Sequence, residues 1–212
     1  MRELENFGII PINTAVLHNI FGDFKSPKDK VSHLQKDGIL LRLKKGLFVV
    51  SPTTSKQDIS VELVANHLYG PSYVSYERAL FFHGLIPERV YIIKSATIKR
   101  KKFYITPVGN FEYITVPTNY YPIGLQTIIV KATHAYIIAS PEKAICDLIL
   151  ATSGLRFQSK KAIREYLFDD LRIDFNHITT WNTAIIEECI QYSYKKNELK
   201  LFLTFIKDEC SI

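Results

Sequence analysis

The order of signals in the first fifty residues constrains the fold most: two short helical stretches, each with its own start and stop, lead directly into two β-rich runs. Ser26-Pro27-Lys28-Asp29 places a capping Ser, a Pro at the first helical position and an acid where the helix dipole favours negative charge. Gly38 fits the left-handed stop, so the signals predict a helix over residues 26–37. At about 100° per residue, Pro27, Val31 and Leu34 gather on one side, and Asp29, Ser32, His33 and Lys36 point the other way. One face packs and the other is free to meet a ligand. An earlier helix is expected over residues 13–21, with Val16, Leu17, Ile20 and Phe21 in one stripe and Gly22 ending it. Before that, Leu4 and Phe7 share a helical face, Gly8 stops the turn, and Ile9-Ile10 is expected as a short strand before Pro11. Residues 39–43 and 47–50 read as strands joined by Lys44-Lys45-Gly46, where Gly takes the positive φ of a tight hairpin.

Helix, short strand, helix, helix, hairpin is the order of a winged helix-turn-helix. In that arrangement the third helix enters the major groove and the wing lies beside phosphates. The formal net charge is +6, with the excess in the first two thirds of the chain. Lys25 to Lys45 is rich in cations and opposed only by Asp29 and Asp37, and Lys94 to Lys102 holds no acid. Clusters of this kind are the electrostatic footprint of a polyanion site. Ser32, His33 and Lys36 are therefore expected to approach base edges, and Lys28, Arg42, Lys44 and Lys45 to contact phosphates.

Ser51-Pro52-Thr53-Thr54-Ser55 reads as a linker, which divides the chain into residues 1–52, a DNA-binding domain, and 53–212, a larger α+β domain. In the second part, Asp58 is expected to cap a helix ending near Tyr69. Ser75 should cap another that runs to His83, with Gly84 and Leu85 completing its stop. Runs at 91–98, 102–106, 111–116, 127–130 and 135–139 alternate as strands with short turns, which favours an antiparallel sheet. Helices are expected at 141–152 behind a Ser140 cap, at 160–168, at 176–194 with Ile178, Trp181, Ile185, Cys189 and Tyr192 in one stripe, and at 197–208 with Leu199, Phe202, Leu203 and Ile206. The expected class is mixed α/β of the α+β kind, with a helical C-terminal part.

Three phrases together resemble the AbiEi-type antitoxins of type IV toxin–antitoxin (abortive infection) systems. Ile39 to Val50 resembles the family's wing; Pro71-Ser72-Tyr73-Val74-Ser75-Tyr76-Glu77-Arg78-Ala79-Leu80, followed by His83-Gly84-Leu85-Ile86-Pro87, resembles its central helix; Ile138-Ala139-Ser140-Pro141-Glu142-Lys143-Ala144-Ile145-Cys146-Asp147-Leu148 resembles its late one. The resemblance covers about residues 8–150. It implies a transcriptional repressor that binds double-stranded DNA at its own promoter, in repeated sites, and autoregulates its operon. It also implies an antitoxin whose larger domain counters a separately encoded nucleotidyltransferase-type toxin without a stable complex. Lys99, Arg100, Lys101 and Lys102, contiguous and outside the expected DNA reader, are the candidate antitoxin surface, beside Phe103 and Tyr104.

No catalytic, metal or cofactor site is expected. Tyr73, Ser75, Glu77, Arg78 and His83 form a chemically tempting phrase, but capping and helix stopping account for most of it; Tyr76 and His83 are the better candidates for an exposed surface. Glu142 suits the first turn of its helix, and Asp147 lies about 140° around from it, poor geometry for a shared cation. The six His residues form no H-x-x-x-H pair, and no glycine-rich phosphate loop is present. Cys146, Cys189 and Cys210 are widely spaced and fall on expected helices, as small buried hydrophobes. With no long apolar run and an acidic start, the chain is expected to be cytoplasmic and free of the membrane. The competing readings are a nuclease or RNA-modifying enzyme targeted by a winged helix, and a protein-interaction module whose hairpin merely packs.

Overall fold

The computed structural model describes residues 4, 7–88, 90–131, 133–174 and 181–209. Asn13 accepts the Val16 N–H in its side chain at 2.9 Å and starts α1 (Thr14–Ile20); Ser26 accepts the Asp29 N–H and starts α2 (Pro27–Lys36). Gly38, at φ +70°, closes α2: the Ile39 N–H returns to the Leu34 carbonyl and the Gly38 N–H to that of Gln35. The short strand is β1 (Ile12–Asn13), after Pro11 and not at Ile9-Ile10. Ile12 lies opposite Phe48, and the Thr14 N–H just beyond reaches the Gly46 carbonyl.

β1, β2 (Leu40–Lys44) and β3 (Leu47–Val50) form an antiparallel sheet in the order β1-β3-β2. Alternation divides this ribbon between two cores. Leu40, Phe48 and Val50 pack with Leu17, Phe21, Val31 and Leu34 of α1 and α2, whereas Leu43, Leu47 and Val49 face the remainder of the chain and join its core. The hairpin is thus apolar on both faces. The segment read as a linker is ordered: Ser51 and Ser55 are buried at either end of the one-turn helix α3 (Pro52–Ser55), and the Ser51 hydroxyl bonds those of Thr53 and Thr54.

α4 (Val61–Leu68) is capped by Ser60, not Asp58; the Ser60 hydroxyl accepts the Leu63 N–H at 3.2 Å. It is followed by β4 (Ser72–Val74), a buried three-residue strand too short for alternation to announce, and by α5 (Tyr76–Phe82). β5 (Ile92–Thr97), β6 (Lys102–Thr106), β7 (Gly109–Thr115), β8 (Leu125–Val130) and β9 (His134–Ala139) complete a six-stranded sheet in the order β6-β7-β5-β4-β9-β8. The sheet is mixed, not antiparallel: β5 runs parallel to β7, and β4 parallel to β9. Short turns settle the β6–β7 and β8–β9 hairpins, but they do not choose the partners of β4 and β5.

α6 (Pro141–Ala151) is buried from Glu142 to Leu150, its charged Glu142, Lys143 and Asp147 included. α7 (Lys160–Arg164) runs into a π-helical turn over Glu165–Asp170, and α8 (Thr183–Tyr192) and α9 (Lys196–Glu209) close the fold. Ion pairs of Lys160 with Asp208 and Arg164 with Glu209 tie α7 to α9. Trp181 precedes α8, whose buried residues are Ile186 and Cys189, so the expected stripe shifts by part of a turn; Ile178 and Cys210 lie outside the described residues. The architecture is mixed α/β, and no helix among the described residues is long and apolar enough to cross a membrane.

Candidate nucleic-acid interface

α2 buries Val31 and Leu34 and leaves Lys28, Asp29, Ser32, His33 and Lys36 exposed. The His33 ring nitrogen Nδ1 lies 2.7 Å from the Asp29 carbonyl oxygen. A carbonyl can only accept, so Nδ1 carries the proton, and in the neutral ring Nε2 is left as an acceptor toward solvent. Beside this face, Lys30 stands 5.1 Å above the half-exposed Phe24 ring, which packs edge-on against Phe21.

The β2–β3 hairpin does not present its three cations alike. Arg42 and Lys45 are exposed, and Arg42 Nε donates to the Lys44 carbonyl at 3.4 Å. Lys44 is half-buried and donates its Nζ to the Leu68 carbonyl at the end of α4, 2.5 Å away. The cause is a register shift: Arg42 lies opposite Phe48, yet Lys44 lies opposite Leu47, so Leu43 is an extra residue. A bulge of this kind moves every later side chain to the other face. Lys44 accordingly shares the inward side with Leu43 and Leu47. Desolvation, and then the nearby Lys99, hold its ammonium pKa below the ordinary lysine value.

The run Lys99 to Lys102 is also differentiated. Lys99 donates to the Gly70 carbonyl and lies 5.3 Å above the Tyr69 ring, and the Tyr69 hydroxyl donates to the Arg100 carbonyl at 3.2 Å. Lys101 pairs with Glu112 at 2.8 Å, because β7 carries that carboxylate alongside; the run is therefore not free of acid in the fold. Arg100 and Lys102 are exposed and have no ion-pair partner among the described residues. Since Lys99 and Lys44 approach the same end of α4, this run adjoins the β2–β3 hairpin.

The phrase around Ser75 serves a buried network. The Ser75 hydroxyl makes no cap bond; it donates to Asp147 Oδ2 at 2.6 Å, and the Tyr73 hydroxyl donates to Oδ1 at 3.4 Å. Lys143, one turn before Asp147 on α6, lies 3.4 Å from the same Oδ1 and donates to the Tyr120 carbonyl at 2.9 Å. All four side chains are excluded from solvent. Burial first, and then the Asp147 charge, push the Tyr73 phenol pKa well above its usual value. Gly124, at φ +60°, lets the chain pass this site; a Cβ there would stand 2.8 Å from Ile185 Cγ2 and 3.0 Å from Lys143 Cβ.

Tyr76, expected on the surface, is buried, while His83 is half-buried and bonds the Ala139 carbonyl at 2.8 Å. Glu142 does more than complement a dipole: it accepts the Asn182 N–H at 2.7 Å, and so ties the start of α8 to α6. Glu77 pairs with Lys94 and Arg78 with Glu62, in different directions. No group of three or more His, Cys, Asp and Glu residues that could hold a metal occurs among the described residues.

No family model and no curated protein matches the chain. The functional reading therefore rests on the residues themselves. Sequence reasoning missed the Lys143–Asp147–Ser75 network and the cation-binding end of α4. A signal for the first was present: Lys143 and Asp147 stand four apart on one expected helix that is apolar from Leu148 to Ala151, the spacing at which opposite charges pair.

Proposed function

We propose that residues 1–52 act as a winged helix-turn-helix DNA reader and that the chain is a transcriptional repressor of its own operon. The observation that carries this reading is the distribution of ion pairs. Among the described residues every ion pair lies beyond residue 61, and Lys28, Lys36, Arg42 and Lys45 have no acidic partner. Elsewhere in the fold ten of the eighteen described lysines and arginines are paired with carboxylates; here none is, and the cations surround an outward helix face and a hairpin tip. That is the charge arrangement a phosphate backbone neutralises, with Ser32, His33 and Lys36 left to face base edges.

The test is fluorescence anisotropy with a duplex of the chain's own promoter at several salt concentrations. Binding should weaken linearly on a log–log plot. Lys45→Ala and Arg42→Ala should each weaken all duplexes alike and flatten the slope by about 0.9 for each phosphate that is no longer neutralised. Binding that ignores salt would remove DNA from the reading.

The second part of the proposal is the antitoxin role against a nucleotidyltransferase-type toxin, with the surface at Lys99, Arg100, Lys101 and Lys102 acting. Arg100 and Lys102 carry the free charge there, because Lys101 is paired and Lys99 is bonded to the backbone. Co-expressed with the toxin, an Arg100→Ser/Lys102→Ser variant should fail to rescue growth while keeping its thermal melt, since exposed charges of this kind contribute little stability. Undiminished rescue would free the patch of that role.

A further inference from the structure

We propose that Lys44 is a positioning residue of the DNA reader: its ammonium latches the wing to the C-terminal end of α4 and sets the angle of residues 7–50 to the six-stranded sheet. The inference rests on the DNA-reader reading above, and it removes Lys44 from the phosphate contacts. Three independent features converge on it.

The first is the bulge at Leu43, which places Lys44 on the side of the ribbon that faces the larger core, opposite Leu47. The second is the receptor. The last four carbonyls of a helix lack intrahelical partners and carry the negative end of its dipole. Leu68 is the final residue of α4, and its carbonyl receives the Lys44 ammonium. The third is that this receptor is itself held. Tyr69 packs its ring against Tyr104 and Tyr113 at 6.0 and 5.2 Å and donates its hydroxyl to the Arg100 carbonyl, and Lys99 takes the Gly70 carbonyl, two residues beyond Leu68.

The mechanical role follows from where the latch sits. Leu43 and Val49 fasten the arms of the hairpin to the larger core and Leu47 does so beside the tip, while the Lys44 ammonium, opposite Leu47, adds a polar tie from the tip to the end of α4. Gly46, at that tip, binds the start of α1 through its carbonyl. The latch therefore fixes the tip, and with it the frame that carries α2.

Full-length Lys44→Met, Lys44→Arg and Lys45→Met proteins separate a latch from a phosphate contact. Lys44→Met should lower promoter affinity roughly tenfold with an unchanged salt slope, whereas Lys45→Met should flatten the slope by about 0.9. Lys44→Arg, whose guanidinium can also donate to Leu68, should restore affinity to within about threefold of the parent. Residual dipolar couplings of the β2 and β3 amides, referred to the β5–β7 amides, should change in Lys44→Met and return in Lys44→Arg. A flattened slope with unchanged couplings in Lys44→Met would make Lys44 a phosphate contact and overturn the proposal. If the parent protein binds no promoter DNA, the DNA reading fails, while the couplings still decide whether Lys44 holds the wing.

Discussion

Asp147→Ala should lower the stability of the folded chain by about 3–5 kcal/mol, the usual cost of breaking a buried ion pair from one side. The variant leaves the Lys143 ammonium sealed from solvent, with the Tyr120 carbonyl as its remaining hydrogen-bond acceptor, and removes the acceptor of both Ser75 and Tyr73. Those three donors come from β4, the start of α5 and α6, so the loss reaches the junction of the sheet with its main buried helix. Removing both charges, as Lys143→Met/Asp147→Leu, should cost less than Asp147→Ala alone, because no unpaired ion is then buried. Urea unfolding followed by circular dichroism measures both. A loss below about 1 kcal/mol for Asp147→Ala would mean that water reaches Lys143 and that the network is not structural.

Local rules account for what could be read without the fold. Ser26, Ser140 and Gly38 act within a few residues of themselves, and their roles as caps and stop follow from backbone chemistry alone. Ser75 shows where such rules end. It stands at a helix start like the others, yet its hydroxyl serves Asp147, 72 residues further on, and nothing local distinguishes the two uses. Lys44 shows a second limit, since strict alternation puts it on the same face as Arg42 and one inserted residue at Leu43 reverses that. The basic run shows a third: Lys101 has no acid near it along the chain, but the β6–β7 pairing supplies Glu112. The mixed sheet has the same origin. Alternation identifies which residues face inward, whereas the parallel pairing of β5 with β7 depends on packing across the whole sheet.

The exposed face of α2 is the place where sequence specificity should be lost. In a Ser32→Ala/His33→Ala/Lys36→Ala variant the promoter should lose its advantage over a scrambled duplex by roughly 100-fold or more, since each good base contact is worth about 1–3 kcal/mol. Binding to the scrambled duplex should persist, reduced only by the share of Lys36, because Arg42 and Lys45 lie on the hairpin and are untouched. Folding should also persist. The three side chains are exposed, His33 bonds only to the carbonyl a turn earlier, and Ala is the best helix former. Val31→Ala or Leu34→Ala, on the opposite face, should instead lower the thermal melt, because both residues are buried against α1 and the ribbon. The decisive quantity is the ratio of promoter to scrambled affinity at one salt concentration. An unchanged ratio in a folded triple variant would move base reading off α2 and leave this helix only phosphates to contact.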